Sequence, residues 1–228
     1  MTPRAILFGS IGTLVETSEL QRRAFNEAFR EASLDWYWSP ELYRSLLKRP
    51  GGRDRIARFA AGRGEQVDSS AIHDRKTEVF NQMVVDEGLS ARPGVVDVIE
   101  KAKTVGIALG FATTTSRRNV DAIFSGFGGV ISPADFSYVG HQALISNVKP
   151  SPDIYLDAIE ELGVSSRQAI AIEDTESSLA SATAAGVPCI AFPGFYASEQ
   201  PFSEAVIVTP KLTWQVIESA SHENAVLV

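Results

Sequence analysis

Short apolar runs recur along the chain, and stretches with helical spacing separate most of them. Ala5, Ile6, Leu7 and Phe8 are continuously apolar, the pattern of a strand covered on both faces in a parallel sheet. Residues 107–112, 169–172, 188–192 and 205–208 repeat it, which predicts five strands. Helical patterns run over 95–105, 117–125, 151–162 and 177–185, and Gly106, Gly163 and Gly186 stand where three of these helices should stop. Strand–helix alternation of this kind predicts the α/β class: a doubly wound, Rossmann-like parallel sheet.

Residues 16–90 break the alternation and read as helices alone. Ser18, Glu19, Leu20 and Gln21 have the spacing of a capping box and open a helix with Leu20, Ala24, Phe25, Ala28 and Phe29 on one face. Helices over 41–47, 53–61 and 70–85 follow. Inserted after the first strand, this block is expected to form a helical cap domain. The α/β core is then residues 1–15 with 91–228, and hinges are expected near 14–17 and 89–93.

Composition narrows the function. The 228 residues are 44% hydrophobic and 21% charged, which excludes disorder or a coiled coil as a whole-chain reading. With 21 basic against 28 acidic residues the formal charge is −7, so no nucleic-acid partner is expected, although a local basic pocket for a small anion is compatible. The apolar stretch near Met1 is too short for a signal peptide or a membrane span. Cys189, the sole cysteine, cannot close an intrachain disulfide, which predicts a reducing, cytoplasmic setting. His73, His141, His222 and Cys189 form no metal-ligand spacing, and Trp36, Trp38 and Trp214 are expected to pack.

In open α/β sheets ligands bind at the carboxyl ends of the strands. Those ends carry Phe8-Gly9-Ser10-Ile11-Gly12-Thr13-Leu14, then Thr113-Thr114-Thr115-Ser116, then Val148-Lys149-Pro150-Ser151-Pro152-Asp153, then Glu173-Asp174-Thr175. In that order the set resembles the haloacid dehalogenase superfamily of phosphohydrolases, over nearly the whole chain. Within it the chain is most similar to the β-phosphoglucomutase-like branch and, in the cap, to the CbbY-like sugar-bisphosphate phosphatases. That likeness rests on Leu34 to Trp38, Leu46 with Leu47, Gly51 to Ile56, and His73 with Lys76 and Thr77. Arg92 to Val95, Ala112 to Ser116, and Asn119 with Val120 carry it further.

The first motif departs from the family's. The resemblance implies two aspartates, a nucleophile and a general acid–base, where this chain has Gly9 and Ile11. Neither side chain can attack phosphorus or move a proton, so phosphatase activity is expected to be absent or very low. Ser10 should point to the opposite face of an extended segment, and Glu16 reaches in only if the backbone leaves the family's path. Gly9 is expected to leave the phosphate position empty.

The resemblance also implies a magnesium site made of the nucleophile, the Ile11 backbone carbonyl and Asp174, with Glu173 beside it. With the nucleophile gone no cofactor is expected, and magnesium is expected to bind weakly or not at all. Glu173 and Asp174 read equally well as caps of a helix starting near Thr175. Lys149 should turn to Asp174 or Glu173, or stay open to an anion. Thr113 and Thr114 are phosphate-binding candidates with Lys149, at a strand end feeding a helix N-terminus. In the cap, Gly51, Gly52, Arg53 and Arg55, joined by Arg22, are expected to close over the distal end of a sugar phosphate; the bland alternative is a helix-joining turn with exposed charges. Gln21 stands where the branch carries histidine.

Three functional readings follow. One is a pseudoenzyme that binds a phosphorylated sugar, an inorganic anion or a protein partner. Another is an active phosphohydrolase with a rearranged nucleophile. The third is a structural or regulatory protein without a small-molecule ligand. The surviving anion-binding residues favour the first over the third, and Gly9 with Ile11 disfavours the second.

Overall fold

A computed structural model describes residues 2–9, 11–49 and 51–226, with side chains as far as Ser221. Ser10 and the side chain of His222 lie outside the described residues. The chain divides into two compact units, residues 1–16 with 89–228, and residues 17–88.

The first unit is built on a parallel sheet of β1 (Ala5–Phe8), β2 (Ala108–Phe111), β3 (Tyr138–Val139), β4 (Ala169–Glu173), β5 (Cys189–Ala191) and β6 (Ile207–Val208). The strand order is β3-β2-β1-β4-β5-β6. Strand β1 is central, with β2 and β4 on either side, which is why its four residues are all apolar and fully buried. Ala5 and Leu7 enter one layer with Tyr138, Ile154 and Tyr155. Phe8 points the other way and meets Phe136 edge-on at 6.2 Å.

The helices of the chain are α1 (Ile11–Leu14), α2 (Ser18–Glu31), α3 (Pro40–Leu46), α4 (Gly52–Arg63), α5 (Ser69–Glu87), α6 (Val95–Thr104), α7 (Arg117–Gly126), α8 (Asp153–Glu161), α9 (Glu176–Ala184) and α10 (Trp214–Val226). Gly106, Gly163 and Gly186, just past α6, α8 and α9, have positive φ of 75°, 61° and 73°, a conformation that glycine adopts without penalty. Helix α8 starts at Asp153, two residues later than the periodicity predicts, because Pro152 disfavours the helical region at Ser151.

The second unit holds α2 to α5. Helix α2 buries Ala24, Phe25, Ala28 and Phe29, as its spacing predicts. Phe25 and Phe29 meet Trp38 at 4.8 and 4.7 Å, and Trp36 lies 5.2 Å from Phe29. The predicted capping box does not form: the N-cap is Thr17, in helical conformation and without a side-chain cap bond. Among the described residues, no helix is long and apolar enough to cross a membrane.

Candidate functional site

Strand β1 has a parallel neighbour on each side, and its carboxyl end is where ligands bind in open sheets of this kind. Phe8 is in register with Phe111 and Ile172, which brings Gly9, Ala112 and Glu173 to one level. The Gly9 N–H donates to the Ile172 carbonyl at 2.9 Å and the Ala112 N–H to the Phe8 carbonyl at 2.8 Å.

Lys149 reaches this level with its side chain only 7% exposed. Its ammonium donates to the Gly9 carbonyl and, at 2.5 Å, to Glu173 Oε1. The Tyr155 hydroxyl, from α8, donates to the same oxygen at 2.5 Å. Among the described residues, Glu173 Oε2 is buried without a hydrogen-bond partner. Burial pushes the Glu173 carboxyl above the usual range, opposed by the charge of Lys149. Burial, then the Glu173 charge, pushes the Tyr155 phenol well above its ordinary value, so it stays a donor.

The space that a side chain at position 9 would enter is filled: a Cβ there would lie 2.0 Å from both Glu173 Oε1 and the Tyr155 hydroxyl. Asp174 is seated likewise, since a Cβ at Gly12 would lie 1.8 Å from its Oδ2. The acidic pair therefore packs against two glycines of the segment after β1. The capping alternative is corrected, because the N-cap of α9 is Thr175, whose side chain accepts from the Ser178 N–H.

Thr113 is buried, and its Oγ1 accepts from the Thr115 N–H at 3.3 Å. Thr114 beside it is half-buried. Glu16 does not reach position 9; its carboxylate lies against Gly194, where a Cβ would meet Oε2 at 1.8 Å. Arg92 went unassigned in the sequence. It donates to the carbonyls of Gly12, Phe192 and Pro193 at 2.8, 2.6 and 2.9 Å and stacks on Phe192, tying the β1 turn to the end of β5. Tyr155 stands two residues past the Lys149 motif, and no periodicity marks a hydroxyl that points at a carboxylate.

A magnesium shell needs several oxygens in octahedral array. Here one oxygen of Glu173 is held by Lys149 and Tyr155, and the Ile11 carbonyl accepts the Val15 N–H at 2.9 Å. Position 9, where the resemblance implies a carboxylate ligand, is glycine, and among the described residues no group of three or more His, Cys, Asp or Glu is placed to hold a metal. The residues present do not fit the family's magnesium site.

The residues expected to contact a ligand from the second unit divide. Arg22 is buried and bonds Glu19 and the Trp38 carbonyl, the latter at 2.7 Å. Arg55 is buried and donates to the carbonyls of Leu46 and Arg49, both at 3.2 Å. Both guanidiniums are engaged within the unit. Arg53 is exposed, 3.9 Å from Asp74. Gly51 takes a positive φ of 91°, and Gly52 admits the His73 ring, which a Cβ would meet at 2.6 Å. Gln21 accepts a hydrogen bond from Lys76, whose ammonium burial pushes down to about 7.

The family model for haloacid dehalogenase-like hydrolases matches residues 6–192. The CbbY protein of Cereibacter sphaeroides is 43% identical over 204 residues, covering 88% of this chain and 89% of that one. The crystal structure of CbbY from Rhodobacter sphaeroides in complex with phosphate superposes with a TM-score of 0.80 at 40% identity, covering 92% of this chain and 95% of that one. A mutant of that protein, in complex with xylulose-1,5-bisphosphate, matches equally well. A β-phosphoglucomutase from Clostridium difficile shares the fold, with a TM-score of 0.75 at 16% identity over 99% of this chain and all of that one. With the family model spanning most of its length and a CbbY relative above 40% identity, this chain belongs to the haloacid dehalogenase-like hydrolases and to their CbbY-like subfamily.

Proposed function

We propose that this chain binds a phosphorylated sugar at the carboxyl ends of β1, β2 and β4 and does not hydrolyse it. The observation that carries this reading is the filled space at Gly9, where Glu173 Oε1 and the Tyr155 hydroxyl take the place of a nucleophile's side chain. The first motif is degenerate on this reading, because Gly9 offers no nucleophile and Ile11 no proton. Loss of a nucleophile alone lowers turnover by a factor of roughly 10⁶. Glu173 is no replacement. It is fully buried, one oxygen is held by two donors, and burial favours its protonated form.

Anion binding needs less. Thr113 uses its oxygen as an acceptor toward Thr115 and leaves its hydroxyl proton to donate. Thr114 and the backbone at the start of α7 lie at the same strand end. Lys149 contributes positive charge that Glu173 partly offsets. CbbY of Rhodobacter sphaeroides has been crystallised with phosphate and, as a mutant, with xylulose-1,5-bisphosphate, which makes sugar bisphosphates the class to test. The binding needs no magnesium, since the residues do not fit that site.

The test is calorimetry with xylulose-1,5-bisphosphate beside a phosphate-release assay, with and without magnesium. Saturable binding weakened by Thr113→Val, with no phosphate released above background, is the expected result. Turnover by the native protein that Lys149→Met or Asp174→Asn abolishes would make the chain an active phosphohydrolase. Absence of any saturable binding would remove the ligand from the reading.

A further inference from the structure

The second unit carries a concentration of positive charge. Residues 17–88 hold twelve basic and twelve acidic residues, so the whole net charge of −7 belongs to the rest of the chain. Residues 44–63 alone hold seven Arg and Lys against one acid, Asp54. The end of α3, Lys48 and Arg49 after it, and one face of α4 line an open cavity of ≈ 530 Å³, and among the described residues no acidic side chain lines it.

Lys48, Arg49, Arg55 and Arg58 line the cavity, with Leu46 and Phe59 as its apolar wall. Arg55 is buried, and its bonds to the carbonyls of Leu46 and Arg49 fix that segment against α4. Arg58, one turn on, faces the same space and pushes the Arg55 guanidinium down by charge repulsion, after burial. Lys48, Arg49 and Arg58 have no ion-pair partner among the described residues. Arg63, at the rim, is neutralised by Asp35 and Glu65 at 2.8 and 2.7 Å. The fold thus gathers like charges and leaves most of them unanswered.

A second observation is independent of charge. Gly62 also lines the cavity, near the end of α4. Its φ lies outside the left-handed region, and a Cβ there would meet nothing within 4 Å. Neither backbone nor packing requires glycine at a helical position where it is disfavoured against alanine by up to about 1 kcal/mol. Its effect is to keep the space open.

We propose that this cavity binds a small phosphorylated ligand of the nucleoside diphosphate class. Guanidinium forks and a lysine suit adjacent phosphates. Phe59 and Leu46 suit a planar, weakly polar base, and Phe59 is itself braced by Trp36 and Trp38 at 5.1 and 5.5 Å. The volume falls within the range of small-molecule sites, about 300–1,000 Å³. This site shares no residue with the sheet-end site proposed above.

The test is calorimetry of the full chain with ADP, compared with pyrophosphate and adenosine. ADP should saturate and bind at least tenfold more tightly than either. Binding should weaken at least tenfold in the double variant Lys48→Glu/Arg58→Glu and disappear in Gly62→Leu, which fills the cavity at a sterically free position. Circular dichroism and thermal unfolding confirm that both variants fold. Thr113→Val should leave ADP binding unchanged. Failure of ADP to saturate at millimolar concentration overturns the proposal, as does binding indifferent to Gly62→Leu or to the charge reversals. Pyrophosphate binding as tight as ADP overturns the nucleoside part, and loss of ADP binding in Thr113→Val moves the ligand to the sheet end.

Discussion

Glu173 couples Lys149 and Tyr155 to Gly9, far from them in sequence. Its carboxylate satisfies Lys149 and Tyr155 and leans on the bare Cα of Gly9. Gly9 is therefore a packing requirement here. Gly9→Ala forces a methyl group to 2.0 Å from two fully buried side chains, and overpacking of this kind costs about 1–3 kcal/mol. Thermal unfolding should show a clear fall in Tm, and an unchanged Tm would mean that Glu173 and Tyr155 can move aside freely. Lys149→Met tests the ion pair. Breaking a buried pair by removing one partner costs about 3–5 kcal/mol at neutral pH. The pH dependence follows from the raised Glu173 value. Between the unfolded carboxyl value, about 4.3, and the raised folded one, the folded chain binds more protons, so stability falls as pH rises through that window. Without Lys149 the window widens, and the variant's deficit should shrink as pH falls toward the unfolded value. A deficit that stays constant with pH would show that Glu173 is not the group left uncompensated.

At the scale of elements, α5 sets up a titration of its own. Its Lys76 is buried among Phe25 and Phe80, 4.8 and 5.3 Å from their ring centres, and burial, with a smaller effect from Arg55, pushes its ammonium down to about 7. The unfolded chain keeps that proton up to about 10.4. Between these values the unfolded state binds more protons, so stability should rise with pH, by at most about 1.4 kcal/mol per pH unit from this group. Lys76→Met keeps the packing and should flatten the rise in urea titrations; an unchanged slope would assign it elsewhere. The same elements show what a sequence reveals. Strand β1 and helix α2 were legible because burial on two faces, or on one stripe, writes itself directly into residue type. Strand β3 was not, because Tyr138 and Val139 are too few to make a pattern. Helix α10 was missed because its polar residues obscure the stripe of Ile217 and Ala220. Short α1 was hidden in a motif that reads as a turn. At the site, Lys149, Thr113 and the acidic pair were legible from order and spacing. The occupation of the space at Gly9 was not, because it depends on where the Glu173 side chain turns, and a sequence does not encode a rotamer.

For the whole molecule, Gly9, Ile11 and the engaged Glu173 decide which ions should matter. A ligand that binds only the folded state stabilises it by RT ln(1 + [L]/Kd), about 2.7 kcal/mol at a hundredfold excess over Kd. Phosphate should act in this way through Thr113 and its neighbours at the sheet end, so Tm should climb with phosphate concentration. Magnesium alone should not act, because Gly9 supplies no carboxylate and Glu173 is tied to Lys149 and Tyr155. Thermal unfolding with phosphate, with magnesium and with both separates the terms: a rise with phosphate, none with magnesium, and no synergy between them. Thr113→Val should reduce the phosphate response, and the charge reversals at Lys48 and Arg58 report any share taken by the second unit. Tm rising with magnesium alone, and ceasing to do so in Asp174→Asn, would show that the acidic pair still holds a cation despite the geometry at Glu173. Synergy between the two ions would point the same way, because magnesium is commonly held by one or two carboxylates together with phosphate oxygens.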